Sequence, residues 1–215
     1  MATLSYHEQK DIENIKKLRE LQKELPSFCS DFFRGIETST STRTRIAYAY
    51  DLKIFFQFLK TANPGTFDNP SHTLTPSDLE KLTVTDLEEY IDYLKCHPSD
   101  TNEDVINTER GLMRKVSSLR SFYSYFFRNE RIEKNPAALV RMPKLHEKEI
   151  IRLEIDEVAK LLDEVEEGDK LTEKQKLYHE RTKVRDLAMM SLLLGTGIRV
   201  SECVGLNIND IDLDT

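Results

Sequence analysis

The stretch RDLAMMSLLLGTGIRVSECVGLNINDID, from Arg185 to Asp212, joins an apolar segment to two glycines and then to an arginine. The apolar residues over 184–194 predict a helix that is buried nearly all round. Gly195 is well placed as the residue with positive φ that ends this helix, and Gly197 allows a second change of direction. Arg199 is then expected in the first turn of the next helix, where unpaired backbone N–H groups and the helix dipole favour an anion.

The known nucleotide-binding glycine motifs do not fit this turn. Val200 stands where the dinucleotide-binding fingerprint has its third glycine, and no predicted strand precedes the turn. A P-loop is excluded because no Gly-Lys-Ser/Thr follows. Two roles are open for Arg199: its guanidinium can direct two N–H groups at phosphate oxygens, or it can form a salt bridge with Glu202, three residues later in the same helix.

Composition favours a mainly helical protein. Of 215 residues, only 7 are glycine and 7 are proline, while 39% are hydrophobic and 32% are charged. No apolar run approaches the roughly 18 residues of a membrane span, and the charged N-terminus does not resemble a secretory signal, so we expect a cytoplasmic location. The three cysteines have neither disulfide nor metal spacing, so they are expected to be small buried hydrophobes, and no metal site is predicted.

Charge is distributed unevenly along the chain. The formal net charge is −7, which by itself argues against a nucleic-acid partner. Residues 103–152, however, contain eleven Lys/Arg against seven Asp/Glu, and residues 34–60 contain five against two. Because the local field attracts phosphates, a net-acidic protein can still present a basic face to nucleic acid.

Breaks in the helical pattern predict the division of the chain. Residues 1–25 contain an N-terminal helix that ends before a proline, and residues 26–142 form a bundle of four-helix type. Pro143 and the charged residues that follow it over 143–152 are typical of a linker. A second core begins at 153 and continues to 215. The predicted fold class is therefore mainly α.

Two long helices dominate the predicted bundle, one over 39–60 and one over 103–129. The stripe expected to be buried on the first consists of Ala47, Tyr50, Ile54 and Phe58. The stripe expected to be buried on the second consists of Leu112, Val116, Leu119, Tyr123 and Phe126. Between them lies a helix over 83–95, for which Thr85 and Glu88 predict a capping box.

The two long helices also carry basic residues that could contact DNA. On the second helix, basic and hydroxyl side chains form a stripe on the side away from the apolar face, which fits phosphate contacts outward and packing inward. An ordinary solvated face is the alternative interpretation of that stripe. The predicted DNA face comprises Arg43, Arg45, Arg110, Arg114 and Lys115.

The opening stretch resembles the first catalytic box of the tyrosine recombinases, the phage-integrase and Xer family. Its core is Thr196-Gly197-Ile198-Arg199-Val200-Ser201-Glu202, followed by Leu206, Asp210 and Asp212. TRIAYAYDLKIFFQFL resembles the first long helix of the family's core-binding domain, and LRSFYSYFFRNERIEKNPAALVRMPK resembles its last helix and linker. The segment DKLTEKQKLYHERTKVRD is most similar to the Xer-type single recombinases of Gram-positive bacteria.

The resemblance implies a fold and a chemistry. Residues 26–142 would be a helical, SAM-like core-binding domain, and 153–215 the first helices of an α/β-type catalytic domain. Arg199 would bind the scissile phosphate and stabilise the transition state, with Glu202 supporting it. The family cleaves double-stranded DNA through a 3′-phosphotyrosine, exchanges strands in a tetramer, and uses neither metal nor cofactor.

The remaining family positions, namely a lysine, a His-x-x-Arg box, a further His or Trp and the tyrosine nucleophile, follow this box in the family. None is assigned within residues 1–215, so the resemblance implies a segment that is truncated within the catalytic domain and binds DNA without cleaving it. One alternative is a non-catalytic DNA-binding regulator with the recombinase fold. Another is a helical protein–protein adaptor, which the net charge favours and which would show no DNA affinity.

Overall fold

The computed structural model of the chain describes residues 5–98, 103–146, 149 and 151–212. These residues are predominantly helical, which confirms the mainly α fold class. They belong to two compact units, Met1–Glu147 and Lys148–Thr215. Positions 147, 148 and 150 of the proposed linker lie outside the described residues, as do the first four and last three residues of the chain.

The first unit is built from helices with one short hairpin. Its helices are α1 (Tyr6–Lys23), α2 (Cys29–Gly35), α3 (Thr42–Ala62), α4 (Pro64–Phe67), α5 (Pro76–Leu79), α6 (Val84–Lys95), α7 (Glu109–Arg128) and α8 (Pro136–Leu139). Strands β1 (Cys96–Pro98) and β2 (Asp104–Ile106) pair antiparallel between α6 and α7. The unit therefore places its two longest helices, α3 and α7, around one core.

The start of α7 differs from the sequence prediction. The helix begins at Glu109 instead of 103, because residues 104–106 form β2 and the Thr108 hydroxyl accepts the Gly111 N–H as an N-cap. The predicted capping box of α6 is also displaced by two residues. Asp86 accepts the backbone N–H of Thr83 at 2.6 Å and completes the box there.

Aromatic packing fills the core of the first unit. Phe122 of α7 is fully buried, and the rings of four neighbours lie with centroids 5.1–6.2 Å from its own. These neighbours are Phe28, Phe32, Phe56 and Phe126. Glycine at position 35 lets α2 approach α7, since a Cβ there would overlap the ring of Tyr125. Burial of Val116, Leu119, Tyr123 and Phe126 confirms most of the stripe predicted on α7.

The buried face of α3 is rotated from the predicted one. Its buried side chains are Arg45, Ala49, Asp51, Leu52, Phe55, Phe56 and Leu59. Tyr50, which was predicted to be buried, is 41% exposed. Aromatic and aliphatic residues occur on most sides of this helix, so its periodicity did not distinguish the core face from its flanks.

The second unit contains helices α9 (Ile155–Glu167), α10 (Glu173–Thr196) and α11 (Val200–Val204). The apolar segment predicted to be buried is the C-terminal half of α10, and that prediction is wrong for this chain: Val184 is 77% and Leu194 is 39% exposed. Over the described residues 151–212, α9 packs along α10 and covers part of its surface, which leaves other apolar side chains accessible.

Candidate functional site

The turn that carries Arg199 is fixed by local hydrogen bonds. Gly197, rather than Gly195, has the positive φ, at 69°, and its N–H donates to the Leu193 carbonyl at 3.0 Å to end α10. The Thr196 hydroxyl donates to the Leu192 carbonyl at 2.6 Å and accepts the Ile198 N–H at 3.3 Å. The Thr-Gly pair therefore ends one helix and directs the chain into the next.

Arg199 is the N-cap residue of α11, one position before the predicted first turn. Its backbone N–H donates to Glu202 Oε2 at 2.8 Å, and its guanidinium Nη1 donates to Glu202 Oε1 at 3.0 Å. These contacts lower the pKa of Glu202, the backbone N–H first and the guanidinium second. The side chain of Arg199 is nevertheless 82% exposed. The salt bridge thus holds one edge of the guanidinium and leaves the rest accessible to an anion.

The basic residues proposed for DNA contact divide into two groups. Arg43 and Arg110 are exposed, and the side chain of Arg114 is 43% exposed. Arg43 lies one helical turn before Ala47 on α3, whose carbonyl accepts a hydrogen bond from Arg114 Nη1 at 3.2 Å. Arg110 lies one turn before Arg114 on α7. These three side chains can meet a phosphate without rearrangement of the core.

Arg45 and Lys115 are buried, and their polar groups contact the protein. Arg45 Nη1 donates to Glu37 Oε1 at 2.7 Å, and its side chain is only 10% exposed. Lys115 Nζ donates to Asn107 Oδ1 at 2.7 Å, and burial lowers the pKa of this lysine. Both residues are therefore buried and bonded within the protein, whereas the sequence analysis placed them on the DNA face.

A buried carboxylate, which the sequence analysis did not single out, joins α3 to α7. Asp51 is 2% exposed, and its Oδ2 accepts a hydrogen bond from Arg114 Nη1 at 2.5 Å. Burial raises the pKa of Asp51 to about 6, although the positive charges of Arg114 and Lys115 oppose that rise. The sequence signal for its burial is limited to the apolar residues that precede and follow Asp51 in α3.

The raised pKa of Asp51 predicts a specific pH dependence of stability. Between about pH 4 and pH 6 the folded protein retains a proton that the unfolded chain has released, so raising the pH favours unfolding. Over this window Asp51 should cost about 3 kcal/mol of unfolding free energy, which Asp51→Asn avoids. Urea unfolding of both proteins at several pH values measures the difference. A difference that does not change with pH would contradict the prediction.

The described residues contain no cluster of three or more His, Cys, Asp or Glu side chains that could hold a metal ion. Within the same part of the chain, no helix combines the length and apolar character needed to cross a membrane. The tyrosines at positions 90 and 123 are buried in the core of the first unit.

The chain is similar in sequence to phage integrases and to tyrosine recombinases. Residues 151–215 match the model of the phage integrase family. A tyrosine recombinase XerC from Caldanaerobacter subterraneus is 35% identical over 198 residues, covering 88% of this chain and 50% of the relative. A tyrosine recombinase XerS from Streptococcus uberis is 31% identical and covers 93% of this chain and 61% of the relative.

A third relative, a tyrosine recombinase XerC from Chlorobaculum tepidum, is 30% identical over 209 residues, covering 95% of this chain and 55% of the relative. The chain thus spans about half the length of the curated relatives it matches. No solved structure matches the chain.

Proposed function

Because the chain is a Xer-like member of the phage integrase family of tyrosine recombinases, we propose that it provides the DNA-binding part of a site-specific recombinase. Residues 26–142 are the core-binding domain, 143–152 the linker, and 153–215 the first part of the catalytic domain. The complete enzyme cleaves one strand of a recombination site through a 3′-phosphotyrosine and exchanges strands within a tetramer on cytoplasmic DNA, without a metal or cofactor.

The observation that carries this proposal is the exposed Arg199 guanidinium, held along one edge by Glu202 at the start of α11. A guanidinium fixed in this way offers N–H donors that need little reorganisation when charge develops on a phosphate. Arg199 binds the scissile phosphate, and Glu202 orients the guanidinium of Arg199. The tyrosine nucleophile and the other catalytic positions of the family are not assigned in residues 1–215, so this chain binds DNA without cleaving it.

The DNA surface of the first unit consists of the exposed Arg43, Arg110 and Arg114, while the buried Arg45 and Lys115 contribute positive charge without direct phosphate contacts. Its phosphate contacts supply affinity that does not depend on sequence and that weakens as salt rises. The net charge of −7 does not oppose such binding, because it is the field near these side chains that a phosphate meets first.

Neutralising this surface should change the salt dependence of binding. In the double variant Arg110→Ala/Arg114→Ala, the slope of the logarithm of the binding constant against the logarithm of salt concentration should flatten by about two units, one for each lost phosphate contact. Fluorescence anisotropy with a labelled duplex over a range of salt concentrations measures both slopes.

The matched control is Arg128→Ala. Arg128 is exposed on the last turn of α7, about 20 Å along the helix axis from Arg114. This variant should keep the slope of the unmodified chain. An unchanged slope in the double variant would remove Arg110 and Arg114 from the interface, and an equal flattening in the control would indicate a diffuse electrostatic effect.

A further inference from the structure

A buried carboxylate contacts one of the arginines of the proposed DNA surface. Asp51 lies in the middle of α3 with 2% of its surface exposed, and its Oδ1 has no hydrogen-bond partner among the described residues. Its Oδ2 contacts the guanidinium of Arg114, which reaches across from α7. A buried acid beside a surface that binds a polyanion requires an explanation, because its charge repels phosphate.

The hydrogen bonds of Arg114 indicate what the carboxylate does. Nη1 donates both of its protons to α3, one to Asp51 Oδ2 at 2.5 Å and one to the Ala47 carbonyl at 3.2 Å. In the described part of the chain no acceptor contacts Nε or Nη2 of Arg114. Three of the five guanidinium N–H groups therefore remain available on a side chain that is 43% exposed.

The buried carboxylate of Asp51 does not stabilise the folded protein at neutral pH, so stability does not explain its presence. Burial raises its pKa to about 6 against the charges of Arg114 and Lys115, so folding disfavours the ionised form at neutral pH. From α6, the Tyr90 hydroxyl donates to the main-chain carbonyl of Asp51 at 3.4 Å and leaves the carboxylate unneutralised. The charged groups that face the carboxylate thus come from α7, and Arg114 is the one that contacts it.

We propose that Asp51 is a positioning residue that fixes the Arg114 guanidinium with one nitrogen bound to α3 and its remaining N–H groups toward a phosphate of duplex DNA. The proposal rests on the proposed DNA-binding function. An unrestrained arginine side chain loses rotamer entropy when it binds a phosphate. A side chain that is already held at Nη1 has lost most of that entropy before binding. Asp51 thereby strengthens a contact that its own charge would otherwise weaken.

A double-mutant cycle on DNA binding tests this role. With a mixed-sequence duplex at low salt, Arg114→Ala should weaken binding by about tenfold when residue 51 is aspartate. In the Asp51→Leu background the same change should weaken binding by about threefold or less, because Arg114 has lost its acceptor. In the Asp51→Asn background the effect should be intermediate, because a neutral amide oxygen holds the guanidinium less strongly than a carboxylate does. Asp51→Leu removes the acceptor completely, and thermal unfolding confirms that each variant is folded.

The control for the cycle is Arg110→Ala, one turn earlier on the same face of α7. Its effect on binding should be the same with aspartate or asparagine at position 51. An undiminished effect of Arg114→Ala in both Asp51 backgrounds would overturn the positioning role. An equal reduction for Arg110→Ala would also overturn it, since a general disturbance of the surface would then explain the result.

Arg114→Lys provides a test that leaves Asp51 in place. A lysine keeps the charge next to Asp51 but has no rigid second set of N–H groups to present outward, so it should lose most of the binding that Arg114 supplies. Full binding by this variant would contradict the proposal. Failure of the unmodified chain to bind DNA at all is a separate result, which would overturn the proposed function itself.

Discussion

Replacement of Arg199 by alanine in a complete recombinase that contains this segment is expected to reduce covalent protein–DNA complex by roughly 100- to 1,000-fold. The guanidinium is held by Glu202 at 3.0 Å while its side chain stays 82% exposed, so its available N–H groups can stabilise charge that develops on the scissile phosphate. Trapping on a nicked suicide substrate measures the covalent complex. DNA affinity, which comes mainly from other contacts, should change by less than about threefold.

An arginine on the preceding helix gives the control for this experiment. Arg185 is exposed on α10 and pairs with Asp186 at 2.7 Å, so Arg185→Ala removes the same charge without touching the turn at Arg199. This variant should form the covalent complex normally. Loss of DNA binding by Arg199→Ala would assign Arg199 a structural role, and normal covalent complex would exclude it from catalysis.

Phe122→Ala is expected to destabilise the first unit by about 3–5 kcal/mol. The ring of Phe122 is fully buried among four other phenylalanines, so its removal leaves a cavity that α2, α3 and α7 line together. A loss of this size is a large part of the stability of a domain, so DNA binding should fail at temperatures that the unmodified chain tolerates. Urea unfolding followed by circular dichroism measures the change.

Phe127→Ala is the comparison on the same helix. Phe127 is 46% exposed, and its loss should cost less than about 1 kcal/mol. Similar effects of the two substitutions would contradict the assignment of the core face of α7.

The clear helical period of α7 made its buried face predictable from sequence. Its apolar residues recur every three or four positions between charged and hydroxyl residues, so only one face could be buried. On α3, in contrast, Tyr50 and Ile54 belong to an almost continuous apolar surface. Contacts with α1, α6 and α7 decide which side of α3 becomes the core, and such long-range contacts are not encoded in local spacing.

The difference between local spacing and long-range contacts also determines which parts of the candidate site are predictable. The salt bridge between Arg199 and Glu202 was open to prediction because three residues separate the partners on one helical turn. Arg114 and Asp51 are 63 positions apart, and no local pattern connects them. For this reason Arg45 and Lys115 were predicted as surface contacts, although packing against other elements buries both.

Hairpin β1–β2 was missed for a related reason. Val105 and Ile106 fit a helical pattern that continues into α7, and the competing strand becomes favourable only when Cys96 and His97 pair with it. Element boundaries that depend on a partner elsewhere in the chain are therefore the part of this fold that the sequence did not reveal.

The proposed DNA binding requires the first unit to present a basic surface although the chain has a net charge of −7, and a direct titration tests this requirement. The chain is titrated onto a labelled mixed-sequence duplex at increasing salt concentrations. We predict saturable binding whose constant falls steeply with salt, with a slope of about three units if Arg43, Arg110 and Arg114 each contact one phosphate. An absence of binding at low salt, or binding that does not depend on salt, would contradict the proposed DNA surface.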